Sequence, residues 1–250
     1  MQPFNKLFSS TASDQRRNVC RAFAIAGLLP ANTLVANAQT RGGLYDPEPP
    51  PDSAYLRIVV IGLEGSIDIY VDDKLRSLKQ LGGEVSDYLV IAGGKRTIAI
   101  HQAGKSTALT THVMEVTKGK ALTLAFTGVK AGTVPTVFED KANTNKLKAV
   151  VAAYHLDSKS GSLDILTADG STKVFSNLAY GSSNSIQVNP ITVELIAAKQ
   201  GSTNSLLSSK PASLNMTQGA TYSVFFVPDQ NGKLTALAVH NKTERYSGKS

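Results

Sequence analysis

The chain has 250 residues, 18% of them charged and 42% hydrophobic, with a formal net charge of +7. That length builds one large or two medium domains, each able to bury a core of its own. Aromatic residues make up only 6%, without a single Trp, while Thr, Ser, Val and Gly abound, a composition suited to an all-β chain.

The first 38 residues carry part of that charge. Lys6, Arg16, Arg17 and Arg21 form a basic region, followed by the short apolar run Ala22–Leu29 and the helix-breaking Pro30. Ala36-Asn37-Ala38 then supplies an A-x-A cleavage site, so residues 1–38 read as a secretory signal peptide, too short to span a bilayer. Arg16-Arg17 raises a twin-arginine reading, which the following Asn18-Val19-Cys20-Arg21 fits poorly. Removing four Lys/Arg and one Asp leaves a mature chain of +4, which argues for no nucleic acid partner and is compatible with an anionic polymer as neighbour. Cys20 is the only cysteine, so the mature chain has no disulfide, no thiol nucleophile and no Cys-based metal site. The expected location is the periplasm.

Residues 39–52 form a lead-in in which Pro47, Pro49, Pro50 and Pro51 block helix and central strand alike. From Tyr55 the pattern alternates with a period of two. In Ser66–Asp72, Ile67, Ile69 and Val71 share one face while Asp68, Tyr70 and Asp72 share the other. Similar runs cover 56–61, 88–91, 97–101, 111–116 and 122–127, separated by turn-rich pieces such as Asp72-Asp73-Lys74 and Gly93-Gly94-Lys95. Residues 73–82 and 203–208 each have room for a helical turn, though neither has good caps. The spacing predicts an N-terminal antiparallel β-sandwich over 53–139, a polar linker at 140–146, a C-terminal β-sandwich over 147–241 and a basic tail at 242–250.

The second half repeats the first. Ser66-Ile67-Asp68-Ile69 is echoed by Ser162-Leu163-Asp164-Ile165, Arg96–Ile100 by Ile191–Leu195, and Gly119–Phe126 by Gly219–Phe226. Ordered blocks at a near-constant offset indicate two tandem sandwiches arisen by duplication.

The sequence offers little that would do chemistry. His101, His112, His155 and His240 lie on four separate strands with no metal-ligand spacing. Asp68, Asp72, Asp73 and Asp87 would suit calcium only as a cluster, and an acidic hairpin surface beside Lys74 and Arg76 is the plainer reading. No Gly-x-Ser-x-Gly elbow occurs. No catalytic residue, cofactor or metal is therefore expected, and the chain is not expected to be an enzyme. Contact with a polysaccharide or a protein partner is assigned to Tyr55, Tyr70, Tyr88, Lys74 and Arg76: tyrosines offer an apolar face with a polar tip, and the cations attract carboxylates.

Leu44-Tyr45-Asp46-Pro47-Glu48-Pro49-Pro50-Pro51-Asp52-Ser53-Ala54-Tyr55-Leu56-Arg57 resembles the mature N-terminus of AlgF-type proteins: a Leu-Tyr, spaced prolines, then Ser-x-aromatic-x-Arg opening the first strand. Leu163–Val174 resembles the second-domain hairpin of that family, and Asn189–Val193 its Asn-Pro strand entry. The block Asp68–Asp73 with Val85–Leu89 also resembles a widespread secreted β-sandwich domain of unknown function. The AlgF resemblance implies a periplasmic accessory or adaptor protein required for O-acetylation of an exported exopolysaccharide, alginate or acetylated cellulose. It implies as partners the SGNH-type acetyltransferase proteins and the membrane O-acyltransferase of the same complex. The alternatives left open are a secreted carbohydrate-binding or adhesion module with no role in acetylation, and an esterase or acetyltransferase in its own right.

Overall fold

The computed structural model describes residues 48–246. The signal peptide expected at 1–38, with most of the lead-in and the last four residues, lies outside the described residues. Every regular element among the described residues is a strand. The N-terminal half holds β1 (Ser53–Ile61), β2 (Ser66–Val71), β3 (Lys74–Leu81), β4 (Leu89–Ala92), β5 (Gly94–Gln102), β6 (Ala108–Val116), β7 (Ala121–Thr127) and β8 (Thr136–Asp140). The C-terminal half holds β9 (Ala149–His155), β10 (Leu163–Thr167), β11 (Lys173–Leu178), β12 (Ser183–Val188), β13 (Thr192–Lys199), β14 (Ala212–Asn215), β15 (Thr221–Pro228) and β16 (Leu234–His240).

They form four four-stranded sheets, in the orders β3-β2-β5-β6, β4-β1-β7-β8, β12-β9-β15-β16 and β11-β10-β13-β14. The first two enclose one core, lined by Leu56, Ile58, Ile67, Ile69, Ile98, Ile100, Leu124 and Phe126 among others. The last two enclose another, with Val151, Leu163, Ile165, Phe175, Leu195, Val224 and Phe226. The fold is thus two tandem β-sandwiches of matching topology. Each also contains one parallel pair within a mostly antiparallel pattern, β1 with β7 and β9 with β15.

A third core joins the sandwiches. Val59, Ile61, Ala125 and Phe138 of the sheet β4-β1-β7-β8 pack against Ala152, Tyr154, Phe225 and Val227 of the sheet β12-β9-β15-β16 and against Leu156 just beyond β9. The molecule is therefore a stack of four sheets, and its two inner sheets are buried on both faces. That is why β1, β9 and β15 read as nearly continuous apolar runs, Leu-Arg-Ile-Val-Val-Ile, Ala-Val-Val-Ala-Ala-Tyr and Tyr-Ser-Val-Phe-Phe-Val.

The repeat has a shared local device. Asp68 Oδ1 accepts the Lys79 N–H and Oδ2 the Gly104 N–H, both at 2.9 Å. Asp164 does the same for Asn177, at 2.8 Å, and Gly201, at 2.9 Å. Lys79 and Asn177 sit at φ 53 and 52 where β3 and β11 slip register against their partners. The bulge removes an N–H from the ladder, and the carboxylate takes it. Gly104 and Gly201, at φ 75 and 78, end β5 and β13 in the left-handed turn that glycine adopts without strain. Asp68 faces His101 across the ladder as Asp164 faces Ala198. Equivalent positions in β5 and β13 are thus 97 apart, and the echo of Arg96–Ile100 falls at Val193–Ala197 instead of Ile191–Leu195. The two-residue shift keeps every side chain on its face, so periodicity alone does not reveal it.

Neither expected helical turn forms. Residues 74–81 are the edge strand β3, whose leucines at 75, 78 and 81 mimic a helical spacing because the bulge at Lys79 breaks the alternation. Residues 203–208 form an irregular cover in which Ser205 bridges Ala198 and Leu207 packs on Leu166, Ile196 and Ala198. The acidic hairpin serves its own turn. Asp72 and Asp73, at φ 49 and 62, occupy the two left-handed positions of a tight hairpin turn, and Asp72 accepts the Thr97 N–H at 2.9 Å and Arg96 at 2.8 Å.

Candidate functional site

Strand β1 alternates strictly. Ala54, Leu56, Ile58 and Val60 enter the N-terminal core, while Arg57, Val59 and Ile61 face the second sandwich. Arg57 is 1% exposed inside this seam. Its five N–H groups match five acceptor contacts: Nε and Nη2 to Thr123 Oγ1 at 3.1 and 3.0 Å, Nη2 to the Tyr154 hydroxyl at 3.2 Å, and Nη1 to Ser223 Oγ at 3.2 Å and Asn241 Oδ1 at 2.7 Å. The guanidinium carbon also lies 4.6 Å from the Tyr88 ring centre, 5.1 Å from that of Phe225 and 5.6 Å from that of Tyr154.

Asp140, the last residue of β8, balances this charge with Oδ2 3.7 Å from Arg57 Nη2. It accepts hydroxyl bonds from Tyr88 at 2.7 Å, Thr123 at 2.5 Å and Tyr154 at 2.6 Å. Thr123 and Tyr154 thus relay between the cation and the anion, each accepting from Arg57 and donating to Asp140, an arrangement that polarises the chain of bonds cooperatively. Burial pushes the phenols of Tyr88 and Tyr154 well above the usual tyrosine range, and the Asp140 charge raises them further. The cluster draws on β1, β7 and β8 of one sandwich and β9 and β15 of the other, with Asn241 just beyond β16.

Above the cluster the seam opens into a groove of about 540 Å³. Tyr88, Asp140 and Asn241 form part of its lining, and Tyr55, Lys141, His240 and Lys242 contribute aromatic and cationic side chains. The arrangement is suited to holding two sandwiches in one orientation and to contacting a neighbour along the seam. It leaves no polar group of the cluster free to attack a carbonyl.

One loop places Ser, His and Asp near one another. His155 is 0% exposed, and burial lowers its pKa. Its Nε2 lies 2.6 Å from the Gly161 carbonyl, so that nitrogen carries the proton, and Nδ1 accepts the Asp157 N–H at 3.4 Å. Ser160 donates to the Asp157 carboxylate and not to the imidazole. A serine nucleophile needs an imidazole nitrogen free to accept its proton. Here both ring nitrogens are turned to backbone.

The residues assigned to contact scatter over three places. Tyr55 is half-buried on the seam groove. Tyr70 lies on the outer face of β2, its ring 4.5 Å from that of His101. Tyr88 is buried at 7% exposure beneath Arg57, at the floor of the same groove. Lys74 is exposed on β3. Arg76, on the same strand, donates to the Val90 carbonyl at 3.0 Å and to Glu244. Sequence reasoning missed Arg57, Asp140 and Tyr154 as a unit. The signal for it was an arginine within the apolar run Leu56–Ile61, which has to find a partner where it is buried.

Residues 26–229 match a family model described as alginate O-acetyl transferase AlgF. An alginate biosynthesis protein AlgF of Pseudomonas putida is 26% identical over 181 residues, which cover 72% of this chain and 77% of that protein. Among solved structures, the C-terminal domain of AlgF from P. aeruginosa shares 27% identity over 38% of this chain and 99% of that domain, with a TM-score of 0.31. CBMbc of family CBM26 from Eubacterium rectale Amy13K, solved in complex with maltoheptaose, shares 13% identity over 78% of this chain and 99% of that chain, at a TM-score of 0.26.

Proposed function

The chain belongs to the AlgF family, whose members act in alginate biosynthesis and acetylation, and from that premise we propose that it is an exported accessory protein of exopolysaccharide O-acetylation that works by protein–protein contact. The proposed partners are the periplasmic SGNH-type acetyltransferase proteins and the membrane O-acyltransferase of the same complex, and the proposed location is the periplasm. The polymer is alginate or a similarly acetylated polysaccharide. Basic Lys141 and Lys242 at the seam groove leave room for an anionic chain alongside.

One observation carries the adaptor reading over direct catalysis. The most chemically capable cluster, Arg57 with Asp140, Tyr88 and Tyr154, is bonded to itself and largely buried between the sandwiches. Acyl transfer needs a nucleophile, a base and an oxyanion hole that a substrate can reach. A rigid stack of sheets with wide outer faces suits docking and relay.

The test is deletion of the gene followed by assay of ester acetate on the secreted polymer, with complementation by the natural chain. Loss and recovery of acetate, with co-purification of the acetyltransferase proteins on the tagged chain, is the expected result. Unchanged acetate, or acetyl transfer by the purified chain alone, overturns the proposal.

A further inference from the structure

After β16 the chain leaves the C-terminal sandwich and crosses back to the edge of the N-terminal one. The Tyr88 N–H donates to the Lys242 carbonyl at 2.8 Å, and the Glu244 N–H donates to the Tyr88 carbonyl at 2.9 Å. Thr243 thereby makes a single parallel bridge with Tyr88, immediately ahead of β4, the edge strand of its sheet. The next edge position is covered differently. The Val90 N–H donates to the Glu244 carboxylate at 2.7 Å, and the Val90 carbonyl accepts from Arg76, which also donates to that carboxylate. One residue of strand pairing is followed by a side chain standing where a backbone carbonyl would be.

We infer that the β4 edge and Arg76 form a recognition groove for an extended segment of a partner protein bearing an Asp or Glu, and that the chain's own tail at 242–246 occupies it as a displaceable stand-in. Three observations carry this. Edge strands present unpaired N–H and C=O groups that an added strand satisfies, and the tail satisfies them here with only one bridge. The tail's carboxylate pairs with a cation about a quarter exposed, a geometry that selects acidic residues. A groove of about 440 Å³ adjoins the pair, lined in part by Asp52, Lys74, Leu75, Arg76 and Arg96, so a longer segment has room beyond the tail. A strand pairing both Tyr88 and Val90 would replace the tail's single bridge by a longer ladder. The inference does not depend on which machinery the chain serves.

The test uses the full chain and its Glu244→Pro variant, which removes both the Glu244 N–H and the carboxylate. The probes are a fluorescent peptide with the sequence of 241–246, a β-prone peptide Ser-Val-Thr-Glu-Val-Thr, and the Glu-to-Gln form of each. Freeing the edge removes an intramolecular competitor, so the Glu-bearing peptides are expected to bind Glu244→Pro at least ~10-fold more tightly than the natural chain. The Gln forms, and Arg76→Ala placed on the Glu244→Pro background, are expected to lose at least ~10-fold. Equal binding to the natural and Pro variants, or equal binding of Glu and Gln peptides, overturns the inference. If Glu244→Pro fails to fold by its thermal transition, Glu244→Gln serves with the same criteria. A natural chain that sediments as a dimer and becomes monomeric with Glu244→Pro assigns the groove to the tail of a second copy and overturns the partner reading.

Discussion

Tyr154 donates its hydroxyl to Asp140 Oδ1 at 2.6 Å, so the last residue of the N-terminal sandwich is held by the first strand of the C-terminal one. Residues 141–148 between them are ordered by their own asparagines. Asn143 Oδ1 accepts the Asn145 N–H at 3.0 Å, and Asn145 Oδ1 accepts the Leu147 N–H at 3.0 Å. These side chains mimic backbone turns. A segment whose composition reads as a polar linker thus joins two bodies that share a core.

The first prediction concerns that shared core. Arg57→Met leaves the Asp140 carboxylate buried without its cation, and breaking one side of a buried pair costs about 3–5 kcal/mol. Urea unfolding of the natural chain is expected to show one transition, because Val59, Tyr154 and Phe225 couple the sandwiches. In Arg57→Met the midpoint falls, and the transition broadens or splits. The cycle of Arg57→Met with Asp140→Asn is expected to give a coupling energy of about 1–3 kcal/mol. A coupling near zero would show that the two charges act independently.

Alkaline titration tests the same cluster by another route. Burial raises the Tyr88 and Tyr154 phenols above their unfolded value of 10.0, helped by the Asp140 charge. A raised folded pKa contributes stability that is full below the unfolded pKa and is lost as pH rises above it. Absorbance at 295 nm is therefore expected to show two phenols that ionise only with unfolding. Tyr88→Phe and Tyr154→Phe should each remove one phenol from the late step.

The paired aspartates predict an acid response. Bonds from Lys173 and the Gly201 N–H hold the Asp164 carboxyl at about 2, and bonds from the Gly104 and Lys79 N–H groups hold Asp68 low. A depressed folded pKa contributes stability that is full above the unfolded value and is lost as pH falls through the folded one. For Asp164 the window runs from about 3.8 down to about 2. The urea midpoint of the natural chain is expected to drop across that window, and Asp164→Asn to drop less. At pH 7, Asp164→Ala strands the Asn177 and Gly201 N–H groups and should cost about 2–4 kcal/mol. Asp68→Ala should cost a similar amount, because it strands the same two positions in the first sandwich.

The duplication was legible because Ser-Ile-Asp-Ile and Ser-Leu-Asp-Ile carry the aspartate that each bulge needs, so a structural requirement was written twice in the same letters. The stacking of the sandwiches was not. An alternating strand announces one buried face, but β1 and β15 bury both, and only the lone Arg57 in an apolar run marked the second face as an interface. Tyr88 looked like a surface tyrosine because nothing local to it shows that Arg57, 31 positions earlier, and Asp140, 52 positions later, close over it. The tail's Glu244 was invisible for the same reason. Its partners Arg76 and Val90 lie 168 and 154 positions earlier, and a basic stretch reads as solvated unless its one acid has a known address.

The last prediction separates adaptor from catalyst within the loop that comes nearest to a triad. Ser160 donates to Asp157, and the His155 ring is committed to the Gly161 carbonyl and the Asp157 N–H. A catalytic serine would make polymer acetylation collapse in Ser160→Ala with the protein still folded, as loss of a nucleophile removes several orders of magnitude in rate. A structural serine forfeits one part-buried loop bond, worth about 1 kcal/mol. Complementation of the deletion strain by Ser160→Ala is therefore expected to restore ester acetate to within about twofold of the natural chain. His155→Ala, which opens a cavity and strands the Gly161 carbonyl, should lower the thermal midpoint. It should restore acetate in proportion to the folded protein recovered. Loss of acetate in a well-folded Ser160→Ala would return the chain to the transferases, since nothing in a docking role depends on that hydroxyl.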